Sequence, residues 1–221
     1  MLYPVELRAH TEIIIARHIF RYPNRVKVPI EIEIKLALPN PAKGRALLKR
    51  NGFTITAPRV FEENLVLDDP DRSLLTRGVL LRVRRAGKTI TCTTKGAALP
   101  GRHKRREEHE FTASTLEPCL AVFSAIGYRE AFRYEKYRTE FAREGEPGHI
   151  TLDETPVGTY LELEGSARWI DRTAKTLGFS PEAWITSSYV TLYNDWCAAR
   201  GITPGDMRFV SVIQKADFCI Q

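Results

Sequence analysis

Charged residues of both signs alternate with aliphatic ones in the segment EIEIKLALP, residues 31–39. Successive side chains of a β-strand point to opposite faces, so this pattern predicts one face made of Glu31, Glu33 and Lys35 and another that is purely aliphatic. Two acids and a base without a neutral polar residue between them could bind an anion and a cation together. The competing interpretation is an outer strand face that is simply solvated.

The same alternation recurs in six further segments, each of which puts its charges on one face. These segments are LLRVRR with Arg82 and Arg84, TITCTTK with Lys95, RREEHEF with Arg106, Glu108 and Glu110, YEKYRTEF with Lys136 and Arg138, ITLDE with Asp153, and YLELEG with Glu162 and Glu164. For any one of these strands alone, a solvated face is the simpler interpretation. Whether these charged faces point to solvent or to the interior depends on the helices and strands that surround them.

Eight segments with a period of two residues predict β-strands. They lie at about 29–38, 60–68, 78–86, 89–96, 104–112, 131–142, 149–153 and 158–164. Short turns join several of them, as in RRAGKT. We therefore expect an α+β fold in which eight antiparallel strands close into a barrel with helices packed outside.

Four helices are predicted from their end signals: a capping residue at the start and glycine at the stop. They run from Asn40 to Gly52, from Ser114 or Thr115 to Gly127, from Ser166 to Gly178, and from Ser180 to about Gly201. Their apolar stripes need an apolar sheet surface to cover. If the aliphatic strand faces pack under these helices, the charged faces must line the lumen of the barrel.

An eight-stranded barrel has room for one small ligand. A lumen with this many cations requires a matching polyanion, because unpaired buried charge costs several kcal/mol per group. A hard divalent cation would explain why acids lie in the lumen as well, because Mg²⁺ or Mn²⁺ binds carboxylate and phosphate oxygens together. The sequence thus predicts a metal-assisted polyphosphate site in a tunnel.

The composition is compatible with this prediction. The chain has 221 residues, a formal net charge of +6 and a pI near 9.2, which favours an anionic partner. Its four cysteines form no C-x-x-C pair and indicate reduced thiols, and no segment has the length and apolarity of a membrane span. We expect a cytoplasmic protein. Nucleic acid is not an expected partner, because the basic run at 101–106 is more simply a solvated turn, and a homodimer is compatible with the sequence.

These motifs resemble the CYTH superfamily, the triphosphate tunnel metalloenzymes, from about Pro29 to Trp196. The family motifs occur here in order: E-x-E-x-K at Glu31, Glu33 and Lys35, L-R-x-R at Arg82 and Arg84, T-x-K-G at Lys95, R-x-E-x-E at Arg106, Glu108 and Glu110, K-x-R at Lys136 and Arg138, and the late acidic motif at Asp153, Glu162 and Glu164. The resemblance implies a tunnel domain over 29–200. It leaves an unassigned N-terminal extension, 1–28, and a C-terminal tail, 201–221.

The resemblance also implies roles for these residues. The triphosphate would be bound by Lys35, Arg82, Arg84, Lys95, Arg106, Lys136 and Arg138. One or two Mg²⁺ or Mn²⁺ ions would be held by Glu31, Glu33, Asp153, Glu162 and Glu164, with Glu108 and Glu110 as further ligands. Within this set, catalysis would fall to Glu31, Glu33, Lys35 and Lys95.

Three functions remain open at this point: a triphosphatase acting on tripolyphosphate or an organic triphosphate, a class IV adenylyl cyclase making cyclic AMP from ATP, and a non-catalytic polyphosphate binder. Some hydrolytic relatives carry tyrosine where this chain has Val66 and Leu67, which weakens thiamine triphosphate as the substrate. Asp68 keeps the acid of that segment. The clustered carboxylates argue against a pure binder, and we favour the triphosphatase.

Overall fold

The computed structural model describes residues 29–209, so the predicted N-terminal extension and the end of the C-terminal tail lie outside the described residues. The elements follow in the order β1 (Ile30–Leu38), α1 (Pro41–Arg50), β2 (Thr54–Asp68), α2 (Ser73–Thr76), β3 (Leu80–Ala86), β4 (Thr89–Lys95), β5 (Lys104–Ala113), α3 (Leu116–Ala125), β6 (Arg129–Ala142), β7 (His149–Thr155), β8 (Gly158–Glu164), α4 (Ala167–Thr176), β9 (Trp184–Ile185) and α5 (Tyr189–Ala198).

Strands β1 to β8 form the predicted closed antiparallel barrel, an α+β fold. The strand order is β5-β4-β3-β2-β6-β7-β8-β1, and a further pairing of β1 with β5 closes the ring. This closing seam runs from Ile30 opposite Glu107 to Glu33 opposite Lys104. Strand β2 begins earlier than predicted. Pro58 interrupts the alternation there, and the pairing with β6 tolerates it through register shifts on both sides of Ala57.

The aliphatic face of β1 packs outward under two helices, as predicted. Ile34 and Leu36 are fully buried in one cluster with Leu48 of α1 and with Trp169 and Ile170 of α4. Burying an aliphatic or aromatic side chain of this size stabilises the fold by roughly 1.5–3 kcal/mol. The charged face of the same strand must therefore point into the barrel.

Two more apolar clusters complete the core: one lies under α3 on the outside of the barrel, and one under α5 includes residues that line the interior cavity. Helix α3 packs over β2, β3 and β4 through partly buried residues such as Leu120 and Phe123. Helix α5 carries Tyr189 and Tyr193 into a cluster with Tyr134 of β6. The described part of the tail joins this cluster, because Met207 is fully buried and pairs with Tyr134.

The predicted helix ends are confirmed at the first three helices. The Asn40 side chain accepts a hydrogen bond from the Lys43 amide at 2.9 Å, and the Ser166 hydroxyl caps α4 in the same way. Gly52, Gly127 and Gly178 follow these helices with φ angles of 78°, 94° and 89°. Only glycine adopts such angles without strain, which is why each helix stops there.

The prediction of one helix from Ser180 to Gly201 is wrong. Residues Pro181–Ala183 form a short 3-10 turn, and the next two residues form β9, which pairs with Lys35 and Leu36 of β1. Helix α5 begins only after this strand, with Ser188 as its cap. Pairing with the edge of a neighbouring strand overrides helix propensity here, as tertiary contacts often do.

The contact between Gly148 and Trp169 gives a test of the packing. A Cβ at Gly148 would lie 2.4 Å from Cε3 of the buried Trp169 ring. We expect Gly148→Ala to destabilise the fold by about 1–3 kcal/mol and so lower Tm by several degrees. The matched control is Gly96→Ala, whose Cβ would meet its nearest neighbour at 3.5 Å. Equal Tm values for the two variants, measured by thermal unfolding, would contradict the tight contact.

Candidate active site

The barrel encloses a cavity of about 890 Å³, within the range of small-molecule sites. Thirteen of the fourteen predicted site residues line it: Glu31, Glu33, Lys35, Arg82, Arg84, Lys95, Arg106, Glu108, Glu110, Lys136, Arg138, Glu162 and Glu164. They come from β1, β3, β4, β5, β6 and β8, so the fold brings together side chains that are far apart in the sequence. The charged strand faces do point inward.

Ion pairs within β1, between neighbouring strands and across the lumen neutralise Lys35 and Lys95. Nζ of Lys35 lies 3.1 Å from a carboxylate oxygen of Glu33 and 3.1 Å from one of Glu162. Nζ of Lys95 donates to Glu31 at 2.6 Å and lies 3.2 Å from Glu108. These two lysines are thus each paired with two carboxylates in the structure.

Asp153 is the one predicted site residue that does not line the cavity. Its carboxylate is fully buried behind the wall, where it accepts hydrogen bonds from Lys136 at 2.7 Å and from Arg138 at 2.7 and 2.6 Å. The Tyr189 hydroxyl donates to the same carboxylate at 2.7 Å. Asp153 therefore fixes two of the predicted phosphate-binding side chains. Its role as a metal ligand stays a prediction.

Burial and pairing together set the ionisation of the central ion pair. Burial disfavours the charged carboxylate of Glu33, but Lys35 and Lys104 outweigh it and hold its pKa well below the usual value. For Lys35, burial again opposes the charge, while Glu33 and Glu162 raise the pKa above its ordinary value. Glu33 and Lys35 are therefore both charged at neutral pH.

The acids near the start of β1 behave differently. Burial, followed by the charge of Glu31, raises the pKa of Glu164 to about 7. Burial and the charge of Glu33 also raise the pKa of Glu31. Negative charge is thus in local excess at this corner of the lumen, although Lys95 lies beside it. We call Glu31, Glu33, Glu108 and Glu164 the acidic corner.

The arginines of the cavity differ in how fully their donors are used in hydrogen bonds to the protein. Arg106 donates to the backbone oxygens of Gly78, Lys95 and Gly96 at 2.6–3.1 Å, so it ties strands together. Arg82 donates to the Tyr134 hydroxyl and to Thr93, yet its buried Nε has no hydrogen-bond partner among the described residues.

Arg84 makes looser ion pairs than these. Its terminal nitrogens lie 3.6 Å from Glu62 and 3.7 Å from Glu110, beyond hydrogen-bond distance. Both Arg82 and Arg84 therefore keep donors that an added anion could use.

Two further lumen residues, Lys104 and Glu62, were missed in the sequence. Lys104 donates to Glu33 at 2.7 Å, and burial followed by the charge of Lys35 lowers its pKa. Glu62 is buried beside Lys136, and although burial opposes its charge, the charges of Lys136 and Arg138 outweigh burial and hold its pKa at about 2. Lys104 lies two residues before Arg106, and Glu62 lies two residues before Asn64. Alternate residues of a strand share a face, so the two-residue period could have identified both as inward side chains.

The part of the cavity near α2 and α5 carries apolar side chains, with Asp68 and Arg72 beside them. Its lining includes Leu75, Phe132 and Val190, and the Leu75 side chain is exposed. The Phe132 ring stacks on Tyr134 with 6.0 Å between their centroids. Thr191 and Asn194 of α5 add polar groups to the same lining. We call this region the apolar mouth.

The described residues define a class of protein, a closed antiparallel barrel with an interior cavity lined by buried acids and bases. The sequence matches the CYTH domain family over residues 29–175, and the chain belongs to that family. This confirms the resemblance that the motifs predicted. No helix in the described range 29–209 is long and apolar enough to span a bilayer.

Proteins from several organisms are similar to this chain in sequence or in structure. A protein of Methanocaldococcus jannaschii named as a putative adenylate cyclase is 29% identical over 148 residues, which are 67% of this chain and 83% of that protein. The structure of a putative adenylate cyclase from Vibrio parahaemolyticus has a TM-score of 0.65 at 20% identity, covering 75% of this chain and 98% of that one.

A plant structure is also similar. It is a putative adenylyl cyclase from Hippeastrum described as having a dominant triphosphatase activity, with a TM-score of 0.56 at 19% identity. The match covers 79% of this chain and 97% of that one. At this level of identity the two solved structures show the fold alone.

The raised pKa of Glu164 predicts a pH-dependent effect of Glu164→Gln on the metal-free protein. The pKa of Glu164 is higher in the folded protein than in the unfolded one, so ionisation of Glu164 lowers the free energy of unfolding. This loss of stability is absent at low pH, where the group is protonated in both states, and complete above pH 7. Because 40% of the Glu164 side chain is exposed, solvent screening weakens this cost, and we expect the variant to have a Tm slightly above wild type at pH 8 and equal to wild type at pH 5. Glu107→Gln, at an exposed position of β5, is the control. A Tm difference independent of pH would contradict the raised pKa.

Proposed function

We propose that this protein is a metal-dependent triphosphatase that binds its substrate in the barrel lumen. The observation that carries the proposal is the cavity itself, where buried cations and a corner of excess carboxylates lie side by side. A simple anion binder has no use for acids next to its ligand. A simple metal site has no use for so many cations.

The cations would exchange carboxylate partners for phosphate oxygens. Arg84 needs little rearrangement, because its carboxylate neighbours lie at 3.6 and 3.7 Å. The unpaired Nε of Arg82 adds a donor aimed at no other group in the described chain. Lys136 and Arg138 remain positioned by Asp153 while they contact the ligand. Charge-assisted hydrogen bonds of this kind are the strongest available to a phosphate.

As part of this proposal a divalent cation would bind at the acidic corner, whose carboxylates are hard oxygen donors; burial, followed by the charge of Glu31, raises the pKa of Glu164 there. Among the described residues no three such side chains are already arranged around a metal position, so these acids would have to close around the ion. Glu31, Glu33 and Glu164 would hold the ion, with Glu108 nearby. When bound, a divalent cation neutralises phosphate charge and orients the attacking oxygen. Lys95 and Lys104, which now neutralise Glu31 and Glu33, would be released to contact phosphate oxygens.

The second candidate is an adenylyl cyclase, and the observation in its favour is the apolar mouth. Adenine needs a flat apolar surface and a few polar contacts, which Leu75, Phe132 and Asn194 offer. The same surface would also accept the organic group of a nucleoside triphosphate that is hydrolysed. The Hippeastrum protein, a putative adenylyl cyclase with a dominant triphosphatase activity, shares only the fold with this chain, so product analysis has to decide between the two reactions.

Product analysis distinguishes these functions. The purified full chain is given tripolyphosphate, ATP and thiamine triphosphate in turn, with Mg²⁺ or Mn²⁺. Orthophosphate release supports the triphosphatase. Faster release from ATP than from tripolyphosphate would indicate that the apolar mouth binds the adenine base. Cyclic AMP with pyrophosphate would establish the cyclase instead. Tight binding without turnover would reject both enzymes.

Glu33→Gln tests the acidic corner. Because the amide removes a charge that faces two lysines, we expect metal-dependent turnover to fall by at least about 100-fold while the far-ultraviolet circular dichroism is unchanged. The control is Glu63→Gln, since Glu63 lies outside the lumen on β2 and pairs with Arg85 and Arg133. Normal turnover by Glu33→Gln would mean that the Glu33 carboxylate of β1 takes no part in the reaction.

Arg84→Ala tests anion binding. Losing a charged donor in the lumen costs about 1.5–3 kcal/mol of binding, so we expect Kd for tripolyphosphate to rise roughly 10- to 100-fold by calorimetry. The next residue supplies the control: Arg85 is half exposed, pairs with Glu63, and its alanine variant should bind normally. Equal binding by both variants would mean that Arg84 does not contact the anion.

A further inference from the structure

Two thiols lie in contact outside the lumen. Sγ of Cys92 on β4 is 2.7 Å from Sγ of Cys119 on α3. A disulfide bond is about 2.05 Å long, so the two sulfurs need to move little to become bonded. Cys92 is buried, whereas Cys119 is only partly buried. Neither residue takes part in the proposed reaction.

Helix α3 is weakly attached at the place where this contact occurs. None of its residues is fully buried, and its cap residue, Thr115, makes no side-chain hydrogen bond to the helix. Val122 and Ile126 expose 63% and 64% of their surface. Elements with few buried contacts open more readily than the core, so a covalent link would change the behaviour of α3 more than that of the barrel.

We propose that Cys92 and Cys119 form a reversible disulfide that fastens α3 to the barrel, with a peroxide as the oxidant. The geometry requires no partner protein and no rearrangement of the lumen. The link would join two residues 27 positions apart in the sequence. Closing a loop of this length restricts the unfolded chain and so stabilises the folded one.

The chemistry proceeds in two balanced steps. The Cys119 thiolate attacks one peroxide oxygen, the O–O bond breaks, and the departing hydroxide takes up the thiol proton to form water, leaving a sulfenic acid. The Cys92 sulfur then attacks the Cys119 sulfur, the S–OH bond breaks, and hydroxide leaves with the Cys92 proton as a second water. A dithiol reductant restores both thiols.

The order of these steps follows from the environment of each sulfur. Burial, assisted by the contact with Cys119, raises the pKa of the Cys92 thiol to about 12, so it is a poor first nucleophile. Cys119 is the less buried of the two residues. The less buried thiol therefore meets the oxidant, and the buried thiol resolves the sulfenic acid.

The test uses the full chain treated with a small excess of hydrogen peroxide. Non-reducing peptide mapping should identify a peptide pair linked through Cys92 and Cys119, two hydrogen masses lighter than the reduced pair. Tm should rise by roughly 6–12 °C and return to its original value after treatment with a dithiol. Amide hydrogen exchange of α3 should slow in parallel.

Matched variants decide whether this pair is responsible. Cys119→Ser should lose the peroxide-induced Tm rise, and Cys92→Ala, which tests the other sulfur independently, should lose it as well. Cys197→Ser, at a buried thiol of α5, should keep it. A Tm rise that persists in both pair variants would overturn the proposal. So would linkage to another cysteine, or oxidation of Cys119 to sulfinic acid in the wild type without cross-linking.

Discussion

Burial of opposite charges against one another in the barrel lumen is the constraint on which the rest of this structure depends. Lys35 is almost completely buried, a position that is tolerable only because Glu33 and Glu162 contact it. Once the charged faces point inward, the aliphatic faces must point outward, and they require the cover of α1 and α4. The outer helices are thus a consequence of the charged interior.

Mutual pairing also determines how such a lumen can respond to a ligand. A polyanion that enters the cavity competes with the carboxylates for the cations. Its binding free energy is therefore the difference between the cation–ligand pairs that form and the cation–carboxylate pairs that are lost. Where the existing pairs are loose, as at Arg84, that difference favours the ligand. Where they are close and buried, as between Arg138 and Asp153, the side chain remains in place and orients the site.

Much of this arrangement could be predicted from the sequence, because a period of two residues specifies both the strand and the face of each side chain. The charged lumen and the capped helices at Asn40 and Ser166 follow from such local signals. Strand β9 could not be predicted in this way, because its two residues are extended only through their pairing with β1. The withdrawal of Asp153 behind the cavity wall also depends on a distant residue, Tyr189.

The seam between β1 and β5 has a consequence for how the chain reaches this structure. Among the described strands β1 is made first, and its main partner, β8, is made after all the other barrel strands. Pairings between distant segments form slowly, because loop-closure entropy is lost before the contact is gained. During synthesis, β1 therefore has only β5 as a barrel partner until β8 has been made. The alternating charges of β1 discourage pairing with other chains during this time.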